Sequence, residues 1–154
     1  MGFIIILVTS ALFALVQIFK TKNIFARVLN AVFAISIGLC IVKNPVIAID
    51  GYYLLGMAGL LTIFYVIHNE EFALQKRIIL GVMALIHLLA IGAFVMHWPS
   101  KMYFFLLGIV PLLLFLYTLI KDVKSYKDEI GFMTVMSAVG LVNFISVLMM
   151  LLAD

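Results

Sequence analysis

Three histidines, His68, His87 and His97, are the side chains of this sequence best suited to relay a proton or hold a haem. His87 stands apart, because Ile86 and Leu88 flank it inside a long apolar run. An ionisable ring is costly in a bilayer, so proton relay, substrate contact and haem ligation are the chemistries to weigh there. The plainer alternative is a neutral imidazole tied to a neighbouring helix, a bond worth about 0.6 kcal/mol and seldom above 2. A haem clamp needs two helical histidines at one depth. His68 and His97 instead fall at the ends of apolar runs, on opposite sides. Asn30 and Ser36 in one apolar run, and Ser137, Asn143 and Ser146 in another, add neutral polar groups. His87, Asn30, Ser36, Ser137 and Asn143 are thus the candidate intramembrane polar or interaction residues. Small side chains such as the serines, and the pair Ala34-x-x-x-Gly38, serve close helix packing equally well.

Other chemistry finds no support. Glu70 and Glu71 precede Lys76 and Arg77 at a spacing suited to solvated ion pairs rather than paired-acid catalysis. There is no Gly-rich phosphate loop, H-E-x-x-H or nucleophile elbow. The nine methionines are scattered through apolar stretches and read as core filler. A lone cysteine, Cys40, allows neither a disulfide framework nor a thiolate cluster. The expectation is a protein that is not an enzyme and carries no catalytic residue, no metal and no cofactor.

The elements that position these residues follow from composition. The chain has 154 residues, 67% hydrophobic and 11% charged, with a mean hydropathy of +1.32. Soluble domains are about 45–50% apolar and about 25% charged, so lipid is the solvent that fits. The formal charge of +3 is spread over short connections, which argues against nucleic acid as a partner. A bilayer core takes about 17–25 apolar residues per helix. Six segments qualify: 2–19, 24–42, 49–67, 78–98, 102–120 and 130–152. The first has no basic residues ahead of it, and Lys20 and Lys22 follow it, so it reads as a retained span rather than a signal peptide. Pro111 should kink the fifth segment and free a carbonyl near Leu107.

Eight of the ten basic residues fall in the first, third and fifth connections, against Lys43 and Lys101 on the other side. Basic loops stay cytoplasmic. The expected location is a bacterial inner membrane, multi-pass, with both termini on the outer, periplasmic side. The turn His97-Trp98-Pro99, bracketed by the interfacial aromatics Trp98 and Tyr103, then also lies outside. An internal repeat has a period of about 50 residues, the signal of a repeated unit. Tyr53-Leu54-Leu55-Gly56 through Tyr65 matches Phe105-Leu106-Leu107-Gly108 through Tyr117 without a gap, and Ser36, His87 and Ser137 recur near that period. The predicted fold is one all-α domain over 1–154, with six transmembrane helices in three parallel hairpin repeats at about 1–45, 46–99 and 100–154.

The run Ile91-Gly92-Ala93-Phe94-Val95-Met96-His97-Trp98-Pro99, followed by Leu107-Gly108-Ile109-Val110, resembles the transmembrane hairpin of the gliding-motility and type IX secretion motor channel subunit of Bacteroidota. It is also similar to small membrane proteins of that phylum that carry a Met-His-Trp-Pro turn. The resemblance covers about 30 residues and implies a periplasmic turn, in agreement with the basic-residue count. It departs where the motor chemistry resides. The family's intramembrane Glu is replaced by Pro111-Leu112-Leu113, its Lys before the turn by Val95, and no long cytoplasmic tail is expected. The fold relationship can therefore hold without proton-driven motor function.

The function expected on these grounds is that of an accessory or structural subunit packing into a larger inner-membrane assembly. Its partners would be the lipid bilayer and other membrane subunits. The alternative is a small transporter or channel with a pathway lined by His87, Asn30 and Asn143.

Overall fold

A computed structural model describes residues 2–99 and 101–153; Ser100, in the expected break after Pro99, lies outside them. The described residues form seven helical segments and no strand: α1 (Gly2–Lys20), α2 (Ile24–Cys40), α3 (Pro45–His68), α4 (Leu74–Val95), α5 (Lys101–Leu106), α6 (Ile109–Lys121) and α7 (Ile130–Ala153). Local chemistry sets several of these ends. Asn23 caps α2 by accepting from the Ala26 amide at 3.1 Å. Asn44 does the same for α3 through Val46 at 3.0 Å, and Pro45 occupies the first position, where its missing N–H costs nothing.

The fifth apolar segment differs from expectation. It is interrupted rather than kinked, with α5 ending at Leu106 and α6 beginning at Ile109. Pro111 lies in the first turn of α6, where no intrahelical donor is required. The break sits at Leu107-Gly108, one turn before Pro111, which cannot donate to the Leu107 carbonyl, and there Gly108 meets Gly140 of α7 backbone to backbone. A straight helix with side chains at that crossing would not fit. The Leu107 carbonyl instead accepts from the Val110 amide at 2.9 Å. The counterpart position in the sequence repeat, Gly56, lies inside the unbroken α3.

Counting α5 and α6 as one run, five helices are long and apolar enough to cross a membrane, and α2 is a shorter apolar helix of 17 residues. Consecutive helices pack side by side, and α7 also touches α1, α2, α4 and α5. From Gly131 to Gly140 almost every α7 residue is buried, so this half of α7 is the axis of the bundle. Leu29 and Phe33 of α2, Leu80 and Met83 of α4, and Phe132, Met133 and Met136 of α7 are wholly excluded from the surface. The outer surface is the reverse of a soluble protein's. Phe19 is 88% exposed, Ile120 82% and Ile24 76%. Apolar side chains over the whole circumference need lipid around them. The chain is a multi-pass, all-helical membrane protein.

The three connections that hold eight of the basic residues meet at one end of the bundle. The Lys22 amide donates to Asp128 Oδ1 at 3.1 Å, and Lys76 Nζ donates to the Ser125 carbonyl at 2.6 Å. At the opposite end α4 closes in a Schellman motif. Trp98 N–H reaches back to the Ala93 carbonyl at 3.0 Å and His97 N–H to Phe94 at 3.2 Å. His97, with φ 51°, holds the left-handed position that glycine usually takes.

Candidate intramembrane site

His87 is buried like Asn30, Ser36 and Ser137, and of these it alone is ionisable. It faces the bundle axis from the middle of α4 and is 3% exposed. Its ring stands edge-on to Phe33 of α2, centroids 5.5 Å apart. Gly59 of α3 leaves room on another side; a methyl there would lie 3.4 Å from His87 Cδ2. Nε2 has no hydrogen-bond partner. A buried unpartnered ring nitrogen costs stability, so on that side the ring is held by packing alone.

One helical turn farther from the basic end, beyond Leu55 and Ile91, the interior opens. A cavity of about 300 Å³ is lined by residues of α1, α2, α3, α4, α5 and α7. Its apolar floor includes Ile37, Leu55 and Ile91, while Asn143 and Ser146 make one polar wall and Tyr52 and Cys40 another. Tyr52 packs on Phe94 at 4.5 Å, and Phe94 on Phe105 at 6.4 Å, so aromatic rings frame the opening. The cavity exists because α7 is buried all round only in its first half. Beyond Gly140 its residues are half-buried or exposed, Val147 excepted.

Toward the basic end the interior is closed. Phe33 stacks on Phe132, centroids 6.1 Å apart, and both are wholly buried. Asn30 lies on the far side of this pair. Its Nδ2 reaches Thr21 Oγ1 at 3.5 Å, and Oδ1 is buried without a partner, hard against Gly131. His87, Asn30 and Asn143 therefore occupy three separate levels, with packed side chains between them.

The expected polar stripe on the last helix also divides. Ser137 and Asn143 are six residues apart, about 120° away from a shared face at 3.6 residues per turn. Asn143 and Ser146 face the cavity. Ser137 donates instead toward the Met133 carbonyl at 2.8 Å and the Pro111 carbonyl of α6 at 3.2 Å. Ser36 is equally buried and bonds back to the Val32 carbonyl at 2.6 Å. Neither serine hydroxyl contacts His87. The turn residues His97, Trp98 and Pro99 are exposed at the end opposite the basic connections. Nor does the small pair Ala34 and Gly38 make a close helix crossing, since a methyl at Gly38 would meet nothing within 4 Å.

The polar cluster that sequence reasoning missed is centred on Glu129. This carboxylate, 1% exposed, sits directly ahead of α7. Tyr65 of α3 donates its hydroxyl to Oε1 at 2.9 Å, and Lys76 of α4 pairs with Oε2 at 2.9 Å. The Lys76 ammonium also lies 4.2 Å from the Phe72 ring centroid. The expected pairing of Lys76 and Arg77 with Glu70 and Glu71 is replaced. Lys76 takes Glu129, and Arg77 donates to the Asn69 carbonyl at 3.0 Å. The available clue was position: Glu129 is the last charge before an uninterrupted apolar run. Beside it Tyr126 is buried, which pushes its phenol up from the ordinary 10.0, and the charge of Asp122 adds to the effect.

Among the described residues no group of three His, Cys, Asp or Glu side chains converges as a metal site would require. Compared with protein-family models, curated proteins and solved structures, the chain matches none.

Proposed function

We propose that this protein is a non-enzymatic accessory subunit of a larger inner-membrane assembly, joined to its neighbours through its transmembrane helices. One observation carries the reading. Between α1 and α6 a lateral groove of about 590 Å³ opens to the lipid, floored by α7. Thr9 and Ser10 of α1 and Thr134, Ser137 and Ala138 of α7 line it among large apolar side chains. Small and hydroxyl-bearing residues are the ones that let a second membrane helix approach closely. A groove of this width along two spans suits a helix of another subunit.

The finer architecture belongs to the same proposal. The basic end is cytoplasmic, both termini and the His97-Trp98-Pro99 turn are periplasmic, and the helices pair as three parallel hairpins. Eight basic residues at one end support the orientation. α1 packs on α2, α3 on α4 and α6 on α7, as the hairpins require, and α2 packs as closely on α3 across the repeat boundary. The Met96-His97-Trp98-Pro99 turn supports kinship with the motor-subunit hairpin, without its proton-coupling Glu. A transporter or channel would have to part the Phe33–Phe132 stack to join His87 and Asn143 to Asn30.

The test is gentle affinity purification from the native membrane, followed by mass spectrometry, for the natural chain and for Thr9→Trp. Thr9 is exposed in the groove, so the indole fills the groove without entering the core. Stoichiometric retention of another membrane protein, lost in Thr9→Trp, is the expected result. Recovery of this chain alone would overturn the subunit reading and direct attention to flux assays with His87→Leu.

A further inference from the structure

The connections at the basic end build a cup of about 230 Å³ lined by Lys22, Lys76, Lys124, Lys127, Asp128 and Glu129, with Ser125 among them. Its charges are not balanced. Lys76 and Glu129 neutralise each other, and Asp128 is occupied by the Lys22 backbone amide. Three ammonium groups, those of Lys22, Lys124 and Lys127, remain against the single carboxylate of Asp128. All three lysines are exposed side chains. They come from two connections far apart in sequence, held together by the bonds of Thr21 and Lys22 to Asp128. Folding thus gathers like charges around a concavity, which raises their mutual repulsion and favours an anion there.

We infer that this cup binds the phosphate group of an anionic phospholipid. The excess of two positive charges matches a phosphate monoester more closely than a singly charged diester. Lysine, a compact point charge, suits phosphate without demanding a fixed planar alignment. Depth agrees as well. Lys22 follows α1 by two residues and Lys127 precedes α7 by three, so the cup lies where apolar span gives way to headgroups. Basic pockets between helices at that level recognise lipid headgroups. The inference needs the chain to be in a membrane; it does not need the subunit reading.

The experiment uses the full chain in phosphatidylcholine nanodiscs doped with phosphatidic acid or phosphatidylglycerol, or supplied with inorganic phosphate. Bound lipid is counted by native mass spectrometry and the unfolding midpoint is followed. The natural chain should take up phosphatidic acid saturably, one per protein, with a raised midpoint, and phosphatidylglycerol more weakly. Lys124→Gln/Lys127→Gln should weaken that binding roughly 30-fold, about fivefold per lysine at the membrane surface. Lys20→Gln/Lys121→Gln removes the same charge outside the cup, and screening should limit its effect to about twofold. Binding of inorganic phosphate with the same dependence on Lys124 and Lys127, and no lipid uptake, would assign the cup to soluble phosphate and overturn the lipid inference. Equal losses in the two double variants, or uptake that never saturates, would overturn the site itself.

Discussion

Gly108 and Gly140 cross so closely that the carbonyl of each fills the space a side chain on the other would need. This contact lies at the break between α5 and α6 and seats both against α7. Either glycine replaced by alanine forces the two backbones apart. Gly140→Ala should cost about 1–3 kcal/mol, the usual range for overpacking. Gly38→Ala, whose added methyl meets nothing within 4 Å, should raise stability by up to about 1 kcal/mol, since a helical glycine loses more freedom on folding than alanine. Unfolding midpoints in mixed micelles compare the two, and equal midpoints would contradict the crossing.

His97 tests the other end of the bundle. A left-handed conformation costs a residue with a Cβ about 1–2 kcal/mol, and the conformational freedom of glycine returns about 0.5–1 of that to the unfolded chain. His97→Gly should therefore raise stability by about 0.5–1 kcal/mol, while the Trp98 and His97 amides keep their partners in the Schellman motif. The unfolding midpoint of the purified variant measures it. A loss of stability would mean that the imidazole makes contacts worth more than the strain.

Tyr126 gives a pH signature outside the membrane. Its phenol is pushed above 10.0 by burial and by Asp122, so between the unfolded and folded values the folded chain keeps a proton that the unfolded chain has lost. Stability from this group is complete below pH 10 and declines as pH rises through that window. Tyr126→Phe removes the titration. The natural chain should lose more stability than the variant between pH 9 and pH 11, as read from paired denaturation curves. Parallel curves would show that Tyr126 does not titrate differently on folding.

Periodicity and charge carry most of the architecture. Lys43-Asn44-Pro45 and the basic turn after Phe19 mark helix ends whose bonds depend on nearby residues, and such ends are local enough to read from sequence. The contacts that close the bundle are not local. Gly108 needs Gly140, Asn30 needs Gly131, and Lys76 needs Glu129 across more than 50 residues of chain. Gly56 and Gly108 sit in matching sequence and differ in structure: Pro111 follows only Gly108, where the other segment has Gly59, and only Gly108 faces another glycine. His87 stands out by its apolar neighbours and Ser36 and Ser137 by their place in the repeat, and all three are buried. Which partner each one faces depends on helix rotation, and α4 and α7, apolar nearly all round, leave that rotation unmarked.

The Lys76–Glu129 pair is the firmest link between the connections and the core. Removing the lysine in Lys76→Met leaves a carboxylate that is almost wholly buried with only the Tyr65 hydroxyl, and such stranded charges cost about 3–5 kcal/mol. Glu129→Gln should cost less. Lys76 is 14% exposed at its side chain, and its ammonium keeps the Ser125 carbonyl and the face of Phe72. Combining the two changes removes both charges, so the double variant should be more stable than Lys76→Met alone. The coupling read from the double-mutant cycle should fall within about 0.5–3 kcal/mol. Tyr65→Phe then separates the hydroxyl from the charge: it should destabilise the natural chain by about 1.5–3 kcal/mol, as for a bond to an ion, and the Glu129→Gln chain by less. Additive losses throughout would mean that Lys76 and Tyr65 act on α7 independently, through packing and not through the shared carboxylate.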